Sequence, residues 1–229
     1  NLKKIKCLVT MYLGGYPRNI IKIYDLKKKY KFLIIEDACH AFGAEYKYKN
    51  KYLKIGSCRH SDIACFSFHP LKSITTGEGG AVTTNNKIYK EAFNKFRSHG
   101  FIKKNHWTYR LNNFGFNYRL SDFNCALGIS QLKKIKHFLT KRKKIYQFYK
   151  KKLIRFSNRL KFIEFQNDTK PSYHLFIIII KNTDVNKMIK FFLKKKIILK
   201  QHYKPNNKFN VYKEKNKINL LNSNKYFNS

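Results

Sequence analysis

Two short apolar runs bracket a helical stretch near the start of this chain, and that succession leaves it few folds to adopt. Cys7–Leu13 is apolar and stops at Gly14-Gly15, as a strand and its turn do. Ile20, Ile21, Ile23, Tyr24 and Leu26 then recur at helical spacing up to Tyr30. Phe32-Leu33-Ile34-Ile35 is a second apolar run, and it stops at Glu36-Asp37. Strand, helix and strand in this order predict a βαβ unit with parallel strands. Ligands of open α/β sheets bind beyond the carboxyl ends of such strands, so Asp37 stands where a ligand is expected.

The pattern continues. Ile63–Phe68 predicts a further buried strand, Thr76–Gly80 a tight turn, Ala81–Thr84 a strand and Lys87–Arg97 a helix. Ser121 is a good N-cap with Asp122 in the first turn, and helical spacing then runs to about Lys152. A helix of that length often links domains. Beyond it, Tyr173–Ile180 reads as a strand, Val185–Lys195 as a helix and Ile197–His202 as a strand. The chain is therefore expected to hold a large α/β domain over 1–145, ending in the linking helix, and a small α+β domain over 146–229.

Composition removes several function classes. The formal charge is +38, from 50 Lys and Arg against 12 Asp and Glu. Such an excess raises the question of nucleic acid. The cations are spread along the chain, however, as at Lys27–Lys29, Lys103–Lys104, Lys141–Lys144 and Lys194–Lys196, and they accompany an excess of Asn, Ile, Tyr and Phe. Codon bias explains that mixture better than a binding face, and no specific nucleic-acid partner is expected. The five cysteines form no C-x-x-C pair, which argues against a disulfide framework and against a zinc site; no metal is expected. The longest apolar run, Leu175–Ile180, is too short to cross a bilayer, so no membrane partner and a cytoplasmic location are expected. The chain begins with Asn and ends in a polar stretch, so both ends are expected to be cuts.

Three segments carry chemistry. In the first, Asp37 at a strand end is either a turn residue or a carboxylate aimed into a crevice, and His40 follows three residues on. In the second, Ser67 closes a strand, Lys72 follows, and Gly77, Gly79 and Gly80 allow positive φ and close backbone approach. A lysine held in a partly desolvated turn is a known form of amine nucleophile toward an aldehyde. In the third, Gly115–Asp122 sets Asn117 and Arg119 just before a helix N-cap, either as a plain entry loop or as an anion site.

Taken together, the segments resemble the DegT/DnrJ/EryC1/StrS family of sugar aminotransferases. The matching stretches are Ile34–Gly43, Ser67–Gly80 and Phe116–Asp122, supported by Ser172–Leu175 and Gln201–Pro205. The wording of Ser67–Gly80 is most like a branch that aminates UDP-linked 4-keto-6-deoxy sugars in the pseudaminic acid pathway. The resemblance implies an aspartate-aminotransferase-like fold (PLP-dependent transferase fold type I), here a partial large domain with a mostly parallel sheet and a small domain. It implies pyridoxal 5'-phosphate as cofactor, a nucleotide-linked sugar as acceptor, glutamate as amino donor, and a homodimer with shared active sites. Residue by residue, it implies that Lys72 carries the cofactor and then moves the proton. Asp37 faces the pyridine nitrogen, His40 lies near the phenolic oxygen and Ser67 binds the phosphate. Asn117 reaches the phosphate in the neighbouring subunit, and Arg119 helps bind the donor's carboxylate.

Members of that family begin with a segment that opens a helix onto the phosphate and supplies a ring stacked on the pyridine; neither is legible in this chain. Two other readings follow: an inactive truncated remnant, or a PLP-dependent sugar dehydratase of the same superfamily. Dehydratases of that kind replace the lysine with histidine, and Lys72 argues against one.

Overall fold

A computed structural model describes residues 2–103, 105, 107–111, 113–181, 184–213 and 220–227. Two compact units divide the chain: Asn1–Gln147 with Phe165–Phe176, and Phe148–Glu164 with Ile177–Ser229.

The first unit is built on β1 (Cys7–Met11), α1 (Ile20–Tyr30), β2 (Leu33–Asp37), the hairpin β3 (Glu45–Tyr48) and β4 (Lys51–Lys54), β5 (Ile63–Ser67), β6 (Gly80–Thr83) and α2 (Lys87–Arg97). Its main sheet has the order β1-β2-β5-β6. The first three strands are parallel, and β6 returns antiparallel to β5, pairing Ser67 with Gly80. The sheet is thus mixed and mostly parallel, as an α/β fold requires. A second hairpin, β7 (Phe101–Lys103) with β8 (Tyr109–Leu111), precedes α3 (Asp122–Lys133) and α4 (Ile135–Leu153).

Strand pleating decides what each face meets. Ile34 and Glu36 point to the face covered by Ile20 and Ile23 of α1, and both are buried. The other face carries Val9, Met11 and Leu33, all exposed. The core lies between the covered face and the β3–β4 hairpin, around Tyr12, Ala38, Ala41, Tyr46, Ala64 and Phe66.

One strap of the later chain returns to this unit. β10 (Thr169–Lys170) pairs antiparallel with β3, and residues 172–175 then cross the Gly14-Gly15 turn. Ser172 and His174 donate their amides to the carbonyls of Gly15 and Gly14 at 3.0 and 2.9 Å. Gly15 has φ +84°, and a Cβ there would meet Ser172 Oγ at 2.1 Å, so only glycine lets the strap sit this close. Tyr16, Tyr146, Phe165 and Tyr173 clamp the strap with ring centroids 5.0–6.5 Å apart.

In the second unit, β9 (Leu160–Phe162) pairs antiparallel with β11 (Ile178–Ile180), followed by α5 (Val185–Lys194), α6 (Asn210–Lys213) and α7 (Leu221–Phe227). Asp184 caps α5 by accepting the amides of Asn186 and Lys187.

Three sequence expectations are corrected. The helix expected from Ser121 to about Lys152 is two helices, separated at Lys134, whose amide bonds back to the carbonyls of Gln131 and Leu132 and tightens the end of α3. The strand expected over Tyr173–Ile180 covers only Ile178–Ile180, because residues 172–175 are spent on the strap. Ile197–His202 forms no strand; Lys196 at φ +60° follows the end of α5, and residues 197–202 are irregular.

Candidate functional site

Asp37 is the last residue of β2, paired across the sheet with Met11 and Cys65. The pleat turns it away from α1, opposite to its neighbour Glu36. It is half-buried, its Oδ1 accepts the Cys39 amide at 3.2 Å, and among the described residues no Lys, Arg or His pairs with it. A carboxylate in that setting is available to a cationic partner from outside the chain.

His40 follows in the tight turn beyond the strand and is buried. Its Nδ1 accepts the Gly14 amide at 3.3 Å, so the proton of the neutral ring sits on Nε2. Its carbonyl accepts from the hydroxyl of fully buried Ser172 at 2.7 Å, and its ring lies 4.2 Å from that of His174. The strap therefore fixes both the backbone and the ring of His40.

Ser67 closes β5, with its Oγ accepting the His69 amide at 3.4 Å. The chain then turns through His69 and Lys72, whose amide donates to the His69 carbonyl at 2.9 Å. The loop is tied down at Thr76, which donates its amide to Phe68 and its hydroxyl to the Glu78 carbonyl. A Cβ on Gly80 would sit 2.3 Å from the Phe66 carbonyl oxygen, so this return requires glycine. Asn124 of α3 donates its side-chain amide to the Thr76 carbonyl, so α3 stands against the same loop.

The thiol of Cys39 relates the two ends of the site. Burial, the hydrogen bond to Asp37 and the Asp37 charge push it up to about 12, while the Lys72 ammonium pulls it the other way. This half-buried thiol thus feels the charges of both the acid and the amine. Beneath the sheet, the Glu36 carboxylate accepts from Tyr12 Oη at 2.9 Å and from the Gly56 amide at 3.0 Å. Burial holds its carboxyl above the usual carboxylate range despite both bonds.

Asn117 and Arg119 stand in the entry to α3, beside Leu120, whose side chain lies against Gly79 of the Lys72 loop. Asn117 bridges to Ser98, Tyr118 donates its amide to the Arg97 carbonyl, and both Asn117 and Arg119 are exposed. Around them Phe114 and Phe123 are 95% and 91% exposed, and Phe116 stacks on Tyr118 with centroids 4.9 Å apart. The structure therefore gathers Asp37, His40, Ser67 and Lys72 at one end of the sheet and leaves the side chains of Asn117 and Arg119 exposed among aromatic residues. Two neighbours of these residues carried no signal in the sequence: Cys39, and Arg142, whose guanidinium reaches the Lys72 carbonyl. Only the sequence Ser172-Tyr173-His174 hinted at the strap.

A model of the DegT/DnrJ/EryC1/StrS aminotransferase family matches residues 3–229. A UDP-4-amino-4,6-dideoxy-N-acetyl-beta-L-altrosamine transaminase of Campylobacter jejuni is 38% identical over 231 residues, covering 99% of this chain and 60% of that protein. A GDP-perosamine synthase of Escherichia coli O157:H7 is 34% identical over 173 residues, covering 76% of this chain and 44% of that protein. Among solved structures, Helicobacter pylori PseC, an aminotransferase involved in the biosynthesis of pseudoaminic acid, superposes with a TM-score of 0.88 at 30% identity, covering 97% of this chain and 59% of that one. The chain spans about 60% of the length of the first of these relatives. With the match running through the strand-end acid, the glycine turn and the helix-entry loop, the chain belongs to the DegT/DnrJ/EryC1/StrS aminotransferase family.

Proposed function

We propose that the protein carrying this chain is a PLP-dependent aminotransferase that places an amino group from L-glutamate on a nucleotide-linked 4-keto-6-deoxy sugar, in the cytoplasm, for surface polysaccharide or nonulosonic acid biosynthesis. The observation that carries this reading is that Asp37 ends β2 and Ser67, with Lys72 five residues on, ends the adjacent parallel strand β5, so that acid and amine lie at one end of the sheet, as a single pyridine ring that must meet both requires. The residues fit the cofactor on their own terms. Asp37 is a half-buried acid without a cation among the described residues, and Ser67 stands beside a loop that its glycines bring close to the backbone.

When bound, the cofactor supplies an electron-withdrawing ring and an aldehyde on which the amino group is carried. Lys72 Nζ would hold that aldehyde and, when free, would serve as the base and then the acid that moves a proton. The Asp37 carboxylate keeps a proton on the pyridine nitrogen, since a negative charge there favours the cationic ring. His40, with its Nδ1 held by Gly14, would orient its ring toward the phenolic oxygen. Ser67 Oγ holds the phosphate. Asn117 and Arg119 act in the neighbouring subunit of a homodimer, on the phosphate and on the donor carboxylate. Their exposure, and that of Phe114 and Phe123 beside them, supports a partner surface there.

The test incubates the protein, expressed from its complete reading frame, with PLP, glutamate and a panel of UDP-linked 4-keto-6-deoxy sugars. Release of 2-oxoglutarate with one of them is the expected result. Loss of the sugar hydroxyl without 2-oxoglutarate would instead identify a dehydratase.

A further inference from the structure

α4 turns one face toward the loops that carry the site. Leu139, Arg142 and Tyr146 follow one another at spacings of three and four residues, so they share one side of the helix. Leu139 packs against Gly43, where a Cβ would meet its Cδ1 at 2.7 Å. Tyr146 is buried among Tyr16, Phe165 and Tyr173. Between them the Arg142 guanidinium is half-buried. Its Nη1 donates to the His174 carbonyl at 3.3 Å and its Nη2 to the Lys72 carbonyl at 3.4 Å. Among the described residues no carboxylate pairs with it. Burial lowers its proton affinity, yet a guanidinium stays charged at any working pH. A cation withdrawn from water is costly, and here two carbonyl dipoles compensate it. Those carbonyls belong to the two segments flanking the site: the backbone of Lys72, and the strap whose His174 ring rests on His40.

We propose that Arg142 is a positioning residue, whose fork ties the backbone of Lys72 to the strap that holds His40 and so sets the amine and the imidazole at a fixed separation. This rests on the reading that Lys72 and His40 serve one cofactor. The planar fork is essential to the role. A lysine at 142 keeps the charge, but its single ammonium cannot reproduce the rigid two-armed geometry.

The experiment uses the protein from its complete reading frame, loaded with PLP, as wild type, K72A, R142K and R142A. The functional reading requires a visible absorbance band of lysine-bound cofactor in the wild type that is absent from K72A. The positioning role predicts that both Arg142 variants keep that band but shift the pH at which it titrates. Their kcat falls about ten- to a hundredfold, the scale expected of small misplacements of a reacting group. KM for glutamate changes by less than about twofold, since no ground-state contact is lost. Added guanidinium ion restores part of the R142A rate, whereas methylammonium does not. An unchanged kcat and band titration in R142K overturns the proposal while leaving the functional reading intact, and R142K decides the matter if R142A fails to fold. A raised KM at unchanged kcat also overturns it, by making Arg142 a donor-binding residue. Absence of the band in the wild type removes the functional reading and this proposal with it.

Discussion

Glu36 and Asp37 are adjacent carboxylates on one strand, and the pleat gives them opposite surroundings. Glu36 is sealed under α1 with Tyr12 and Gly56 as its donors, whereas Asp37 opens toward the other face. The sequence marked Asp37 because it ends an apolar run, but nothing local told which of the two acids would be buried; that depends on which face α1 covers. Tyr12→Phe leaves a buried carboxylate short of one donor, and should cost about 1–3 kcal/mol of stability in urea denaturation. The pH dependence has a defined sign. Glu36 titrates above its unfolded value of about 4.3, so the folded chain keeps a proton that the unfolded chain releases. Its contribution therefore falls as pH rises from the unfolded value through the raised one, and the penalty is complete above that window. Glu36→Gln should flatten the denaturation midpoint against pH there; an unchanged slope would show that the group does not titrate as described. Lys72 stood out among so many lysines only through its neighbours, Ser67 before it and the glycines after it.

Element by element, local chemistry was readable wherever a cap or turn demanded it. α1 spans Ile20–Tyr30 as its periodicity predicts, and Ser121 caps α3 by accepting the Asn124 amide. Ser121→Ala should cost about 1 kcal/mol of stability. Gly80→Ala is a harsher change. The new Cβ would press on the backbone oxygen of Phe66 at 2.3 Å, which no rotamer relieves, so β5 and β6 must separate. That variant should lose soluble expression or unfold at clearly lower temperature in a circular dichroism melt, and a native melt would contradict the close approach. What the sequence did not disclose depends on distant partners. The β3–β4 hairpin lacks a strong turn dipeptide, with Lys49 taking the positive φ at its tip. The apolar run Ile197–Leu199 looks like a strand, yet has no neighbour to pair with among the described residues. Arg142 is one more cation in a basic helix until the strap and the Lys72 loop are folded against it.

Across the whole molecule, one face of the main sheet is uncovered. Val9 is 62% exposed and Val82 49% exposed, although strands of mostly parallel sheets are ordinarily covered on both faces. The 229-residue chain expressed by itself should therefore bind the dye ANS with a strong fluorescence increase, and a native-like absence of binding would mean this face is covered. The proposed sharing of active sites makes a separate prediction for the protein from its complete reading frame. Lys72→Ala and Asn117→Ala, each inactive alone, should recover part of the activity when mixed and allowed to exchange subunits, because one site of the mixed dimer keeps both residues. No recovery would place Asn117 in the same subunit as the lysine it serves. The central claim is that the amine at 72 holds the cofactor that the acid at 37 faces, and borohydride reduction tests it most directly. After reduction of the PLP-loaded protein, peptide mass spectrometry should find the cofactor mass on Lys72 alone, with much less fixed when Asp37 is replaced by Ala; fixation on another of the chain's many lysines, or none, would contradict it.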